Sequence, residues 1–387
     1  MLRVAFLTNC IPPYHKPVLD ALARHYGPDH FRILLSTPME SNRSWSLEWE
    51  GLDVLVQKTL TVRGRWKHPR GFRESNEVHF PLDTISQLRR FSPDVVISTE
   101  MGFRSLSALI FTKLRRHRSL ILWTEVNEST EYGRGWTRGI ARKILARNCD
   151  GFLALGDAGV AYVQSLGAPS ERIFKLLYTT DVSRFSAGVP ERENERRLVY
   201  VGQLIERKGL LQFTAALGKW AEQHPERDVE LVFAGDGPLR ETLQTSPVPP
   251  NLRLQFLGNV SYQDLPRVYA QAGVLAFPTL ADTWGVVVNE ALAAGLPVLG
   301  SVHSQAVKEL VTHGKNGWTF SAGKSEEMDA AIHECLTTPL STLQTMRENA
   351  RKTAMELPPA CVAGMIQTAI ESCLENSGQT QICKAMV

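Results

Sequence analysis

Short apolar runs alternate along this chain with stretches whose apolar positions recur at helical spacing. The runs predict strands at Val4–Thr8, Ile33–Ser36, Val95–Ser98, Leu120–Trp123 and Gly151–Ala154. Further strands are expected at Leu198–Val201, Glu230–Ala234, Leu252–Phe256, Val274–Phe277 and Pro297–Gly300. Helices are expected at Lys16–His25, Leu82–Arg90, Arg138–Asn148, Asp157–Leu166, Leu210–His224, Gln263–Ala270, Val287–Ala294 and Ser325–Thr337, with more helix around Ala360–Leu374. Strands that are apolar throughout, rather than alternating with polar residues, belong to parallel sheets covered on both faces. The pattern restarts once. Ser186 to Arg197 is charged and poor in large apolar residues, which fits a linker, and Leu198-Val-Tyr-Val-Gly then opens a second βαβ series.

The chain has 387 residues, which is too long for one core, since cores stop growing near ~250–300 residues. The reading is therefore α/β, with two doubly wound, Rossmann-like domains facing one another across a cleft. Residues 1–185 form the first domain, 186–360 the second, and 361–387 a C-terminal helix. Sheets of this kind bind ligands at the carboxyl ends of their strands.

Net charge is only +3, so nothing global points to nucleic acid. The charge is unevenly spread. Residues 1–185 carry 26 Lys/Arg and 18 Asp/Glu, against 17 and 22 in the remainder. The basic half fits an anionic surface, such as peripheral contact with the inner face of a membrane, or a phosphorylated acceptor; it fits equally a scattered set of solvated charges. Six cysteines without a C-x-x-C pair, and an N-terminal apolar run too short for a signal peptide, read as reduced thiols in a cytoplasmic protein. No run approaches the ~18 apolar residues of a membrane span. The ten histidines show no metal-ligand spacing.

Four segments, all placed at strand ends, carry candidate chemistry. In Phe277-Pro-Thr-Leu-Ala-Asp-Thr-Trp-Gly-Val-Val-Val-Asn-Glu, a strand leads through a loop into a helix starting near Val286, with Asp282 or Thr283 as its expected cap. Unpaired N–H groups at Thr283, Trp284, Gly285, Val286 and Val287 suit a phosphate. Glu290, about one turn inside, suits ribose hydroxyls, and Asp282 suits sugar hydroxyls. Gly202-Gln-Leu-Ile-Glu-Arg-Lys-Gly209 offers a tight turn at Gly202, with Arg207 and Lys208 as cations for a diphosphate leaving group. Ala234-Gly235-Asp-Gly237-Pro238 is another strand, glycine turn and helix start, with Pro238 at the first helical position. Phe256-Leu-Gly-Asn is a fourth strand end. Each alone reads also as an ordinary βα turn.

Taken together, their order and spacing resemble the retaining glycosyltransferases of family 4, which have the GT-B fold. The family pattern runs G-R-L-x-x-x-K-G, then G-x-G, then F-L-G, then E-x7-E before A-x-A-x-G-x-P-V. Lys208 falls on the family lysine, Gly235 and Gly237 on G-x-G, and Asp282 and Glu290 on the two acids. The likeness covers Leu198 to Gly317 in detail and extends loosely to Leu166-Gly and Asp181-x-x-x-Phe185. It departs from the family at Gln203, where the family has arginine, and at Asp282, one methylene shorter than the usual glutamate. What the resemblance implies is a hexosyltransferase-type enzyme taking a UDP- or GDP-sugar as co-substrate, without cofactor or metal. The acceptor would be a glycan, lipid-linked or small-molecule hydroxyl, as in polysaccharide biosynthesis. Lys208, Asp282 and Glu290 would be catalytic, the reaction would retain configuration by front-face attack, and the C-terminal helix would cross back to the first domain. A nucleotide-sugar epimerase or phosphorylase, and an inactive sugar-nucleotide-binding protein, remain as alternatives. In the first half, Asn9-Cys-Ile-Pro-Pro-Tyr14, Glu100 and Glu125 follow predicted strands and are the candidates for acceptor contact, with plain connections as the alternative reading.

Overall fold

The computed structural model describes residues 2–376 apart from 42–44, 46–48, 69–70, 115–116, 132–135 and 187–196. Two compact units result. One takes the chain up to Leu177 together with its last helix, and the other runs Tyr178–Pro358.

The first unit opens β1 (Val4–Thr8), α1 (Lys16–Tyr26), β2 (Phe31–Leu35) and β3 (Val54–Val56). A polar ribbon follows, β4 (Thr59–Lys67) and β5 (Arg73–Pro81). Then come α2 (Thr84–Phe91), β6 (Val95–Thr99), α3 (Phe103–Lys113), β7 (Ser119–Thr124), α4 (Glu128–Glu131) and α5 (Trp136–Asn148). The set closes with β8 (Gly151–Leu155), α6 (Gly156–Ser165) and β9 (Ile173–Leu176). Seven strands form one sheet in the order β3-β2-β1-β6-β7-β8-β9, and every pairing is parallel. β1, β6, β7 and β8 are buried at every position, as all-apolar strands between two helical layers must be.

The second unit begins with α7 (Val182–Ser186) and β10 (Leu198–Val201), then α8 (Leu210–Gln223), β11 (Val229–Ala234), α9 (Arg240–Thr245) and β12 (Leu252–Gly258). It continues with α10 (Leu265–Ala270), β13 (Val274–Phe277), α11 (Val287–Ala293), β14 (Val298–Ser301), α12 (Gln305–Leu310), β15 (Gly317–Phe320), α13 (Ser325–Thr337) and α14 (Leu340–Met355). Its six strands run in the order β12-β11-β10-β13-β14-β15, all parallel. α15 (Pro359–Asn376) packs on α1, β7, β8 and β9, and so returns to the first unit.

The units divide after Leu177, not at 185, for a packing reason. Phe185 is 1 % exposed, with its ring 5.7 Å from both Tyr262 and Tyr269 of the second unit. The expected linker, Ser186 to Arg197, lies outside the described residues over 187–196.

In both sheets the chain leaves a central strand in one direction, returns beside it, and continues the other way. These reversals fall between β1 and β6, and between β10 and β13. The loops leaving such a strand pair diverge to opposite faces and open a crevice at the carboxyl ends. Among the described residues, no helix is long and apolar enough to cross a membrane, and no three His, Cys, Asp or Glu gather as a metal-binding group.

Candidate functional site

The second unit's crevice is built from two loops, one after β10 and one after β13. They are stitched together by the backbone. Leu280 N–H donates to Arg207 O at 2.8 Å, and Thr279 Oγ1 donates to the same oxygen at 3.2 Å. The approach is too close for a side chain at Gly209, where φ is +67° and an added Cβ would lie 2.3 Å from Pro278 O. The Gly235 turn packs as tightly, since a Cβ there would lie 1.9 Å from Gly202 O. The three glycine turns are thus one assembly, held in addition by Gly202 N–H to Ala234 O at 3.0 Å and Leu204 N–H to Asp236 O at 2.9 Å.

This stitching brings the sequence candidates together. Lys208 forms an ion pair and hydrogen bond with Asp282. Arg207 Nη1 donates to Ala281 O at 2.8 Å and lies 3.4 Å from Asp282 Oδ2. Lys208 also sits 5.1 Å over the Phe277 ring. Burial works to raise the Asp282 pKa, but Lys208, Arg207 and the Trp284 N–H outweigh it and hold the carboxyl down to about 2. The result is one carboxylate flanked by two cations at the strand ends, a local excess of positive charge.

The lead into α11 differs from expectation. Its N-cap is Val286, with no side-chain cap, so neither Asp282 nor Thr283 plays that part. Asp282 is drawn away to the cations, and its N–H is tied to His303 O at 3.0 Å. Thr283 offers its carbonyl to Gln305 Nε2 at 2.9 Å. Trp284 is 1 % exposed; its indole donates to Asn289 Oδ1 at 2.7 Å and its carbonyl accepts from the Ala306 N–H at 3.1 Å, so it is part of the scaffold under the loop. Gly285 has φ +101°, and Val287 opens the helix. Likewise Pro238 does not start a helix, because Leu239 is the N-cap of α9.

Glu290 is 4 % exposed and accepts a hydrogen bond from Tyr269 Oη at 2.8 Å. Burial raises its pKa to about 7, opposed only in part by that bond. Around it stand Tyr262, whose hydroxyl meets Thr180 Oγ1 at 3.3 Å, and Phe185. The sequence carried no signal for these tyrosines, since Tyr269 on a short helix reads as core and Tyr262 as part of the turn before it.

The first unit's crevice is organised differently. Arg104, 4 % exposed, donates from Nη1 to Asn9 Oδ1 and Ser36 Oγ, both at 2.7 Å. Its Nη2 donates to Thr99 O at 2.7 Å and Thr99 Oγ1 at 2.9 Å. The amide of Asn9, so oriented, donates to Glu100 Oε1 at 2.7 Å and to Glu40 Oε1 at 3.4 Å. Glu100 is held at φ +68°, an unusual conformation for glutamate. Asn9 and Glu100 are therefore brought together. Tyr14 lies instead against His15 and Trp45, with ring centroids 4.7 and 6.5 Å away. Glu125 follows the end of β7, half-buried. Sequence reasoning missed the organising role of Arg104 and the presence of Ser36, Thr99 and Glu40.

Comparison with known proteins bears on the fold and the family. An uncharacterized glycosyltransferase of Methanocaldococcus jannaschii is 31 % identical over 139 residues, covering 35 % of each chain. Glycogen synthase of Mycobacterium tuberculosis is 26 % identical over 233 residues, 57 % of this chain and 55 % of that one. The chain thus spans between about a third and about half the length of these relatives. The Anabaena protein HepE in complex with UDP superimposes with a TM-score of 0.72 at 19 % identity, covering 96 % of this chain and 100 % of that one. Two parallel Rossmann-like sheets and this likeness make the fold GT-B α/β. Residues 181–353, which contain the whole Lys208–Asp282–Glu290 loop assembly, match the family described as Glycosyl transferases group 1.

Proposed function

We propose that this protein is a glycosyltransferase that moves a sugar from a nucleoside-diphosphate sugar to an acceptor hydroxyl, with the donor held by the second unit. The observation that carries the reading is the pairing of Lys208 and Arg207 with Asp282 at the β10/β13 strand ends, inside the segment that matches the transferase family. In this reading a donor diphosphate takes over the two cations and neutralises its developing charge on them. Asp282, released from the ion pair, turns to the hydroxyls of the transferred sugar. Glu290 keeps one oxygen on Tyr269 and offers the other to the ribose. N–H groups of the uncapped stretch Gly285–Val287 add to the phosphate contacts. UDP is the first nucleotide to test, since HepE was solved with it, and GDP the second.

We further propose that transfer retains anomeric configuration, by attack on the face from which the diphosphate departs. A phosphate oxygen then takes the acceptor's proton, so catalysis rests on positioning and leaving-group stabilisation. The polar crevice of Asn9 and Glu100 is the proposed place for an acceptor hydroxyl. A cytoplasmic site of action accords with Cys149, Cys361 and Cys373 being free thiols.

The test is to incubate the purified protein with UDP-, GDP- and ADP-sugars, with and without glycan or lipid-linked acceptors, and to read products by NMR. Acceptor-dependent transfer with the donor's anomeric configuration is expected. Inversion would refute the mechanism. Epimerisation without any acceptor would refute the transferase reading.

A further inference from the structure

α3 and α5 are adjacent on the first unit, and each leaves an apolar stripe in solvent. On α5, Trp136, Ile140 and Ile144 are spaced four apart and therefore share one face. They are 77 %, 49 % and 48 % exposed. Ile110 on α3 and Leu114 at its C-cap, again four apart, are 55 % and 60 % exposed. Five large apolar side chains in solvent on two neighbouring helices depart from the usual scatter of single exposed residues. The inward faces of the same helices are well used: Ala108, Leu109, Phe111, Leu145 and Ala146 belong to the core. The outward stripes are therefore additional apolar surface and serve no packing within the unit.

The charge around these stripes is predominantly positive. The stretch Phe103 to Asp150 carries ten Lys/Arg and four Asp/Glu. Lys113, Lys143 and Arg147 are exposed on the two helices. Of the acidic groups, Asp150 pairs with Lys113 at 3.6 Å and Glu131 is taken up by Arg142 and Arg138. A tryptophan and aliphatic side chains rimmed by lysine and arginine form the surface of an interfacial helix, which sinks its apolar face to the acyl boundary and leaves its cations among anionic headgroups.

We propose that the α3–α5 face docks the protein, peripherally, on an anionic lipid bilayer. The helices lie in the surface plane and do not insert. Trp136, Ile140 and Ile144 supply the buried area, and Lys113, Lys143 and Arg147 supply the attraction. The proposal is independent of which sugar or nucleotide the second unit takes. It also explains the excess of positive charge in the first half of the chain.

The test is co-sedimentation of the full chain with vesicles of phosphatidylcholine alone and of phosphatidylcholine mixed with phosphatidylglycerol. Binding only to the anionic vesicles is expected, falling steeply as salt shortens the Debye length. Ile140→Glu with Ile144→Glu should reduce it by roughly 10-fold or more, because two buried aliphatics are lost and two negative charges face the lipid. Leu340→Glu, at an equally exposed position of α14, should leave it unchanged. Circular dichroism and thermal melting check that the variants fold, which these solvent-facing positions allow. Equal binding to both vesicle types, no binding to either, or an unaltered double variant would overturn the proposal. So would light scattering that shows a dimer dissociated by the double variant in a protein that ignores vesicles, since the face would then be covered by a second copy.

Discussion

The two crevices occupy the same topological position in two parallel sheets, yet they arrange their charges differently. At β1/β6 the cation is inside: the Arg104 side chain is 5 % exposed and that of Glu100 57 %. At β10/β13 the two signs are buried together, with the side chains of Asp282 at 12 %, Lys208 at 13 % and Arg207 at 21 %. In the first unit the guanidinium is consumed by four neutral acceptors and serves to fix Asn9. What it presents outward is amide and carboxylate, groups that suit hydroxyls. In the second unit two cations share one carboxylate, and what remains is positive charge, which suits phosphate. The same strand-end geometry is thus set for two ligand chemistries by how its cations are paired: four neutral acceptors for one arginine in the first unit, one carboxylate for two cations in the second.

If that contrast is right, removing the two cations should have different consequences. The largest effect is expected from Lys208→Ala, which should cut turnover by roughly 10²–10³, the scale for losing one charge-stabilising group. Steady-state kinetics would check it, and a loss under about threefold would mean that the lysine is not at the diphosphate. Arg104→Ala should act on the fold instead. It strands the acceptors of Asn9, Ser36 and Thr99 in a buried site and should cost about 2–3 kcal/mol in a urea titration. Stability unchanged by Arg104→Ala would erase the distinction between the crevices.

Asp282→Asn should lower kcat by about 10-fold or more with a smaller change in KM, because the contact proposed for it tightens at the reacting sugar. A pure KM effect would move Asp282 away from the chemistry. The smallest effect concerns pH. Glu290, with its pKa raised by burial from the usual 4.5 to about 7, binds a proton more readily folded than unfolded. Its contribution to stability is complete below about pH 4.5 and is lost as pH rises to about 7, with a slope of at most about 1.4 kcal/mol per pH unit. Glu290→Gln should flatten that part of the stability–pH profile, as thermal melting across the range would show. An unchanged slope would place the raised titration elsewhere. Asp282 works in the opposite sense, since its low pKa gives stability above about pH 4 that is lost as pH falls towards about 2.

How much of this was legible depended on burial. Strands buried on both faces, such as Val95–Thr99 and Val274–Phe277, write their position as continuous apolar runs and were found within a residue or so. The ribbon Thr59–Lys67 and Arg73–Pro81 does not, because Leu60, Val62 and Val78 sit exposed among charged residues. α3 was missed because Arg104, Ser105, Ser107 and Thr112 are buried polar residues, which dilute its apolar face. α14 was missed because its buried Leu343, Met346, Ala350 and Ala354 form a narrow stripe in a polar helix. For the site, glycine turns and the spacing of Lys208, Asp282 and Glu290 were readable, since chain geometry ties them to strand ends. Partners supplied from far along the chain were not: Tyr269 for Glu290, and Ser36 for Arg104, carry no local mark of their role.

The central claim is that the cations of the second unit, and not the polar crevice of the first, hold the nucleotide. Calorimetric titration of UDP and GDP into the full chain tests it most directly. One of the two should bind at a single site, at least ~10-fold more weakly in Lys208→Ala, the loss expected for one charge-assisted contact, and with unaltered affinity in Glu100→Gln. Unchanged affinity in Lys208→Ala, or affinity lost in Glu100→Gln, would contradict the account.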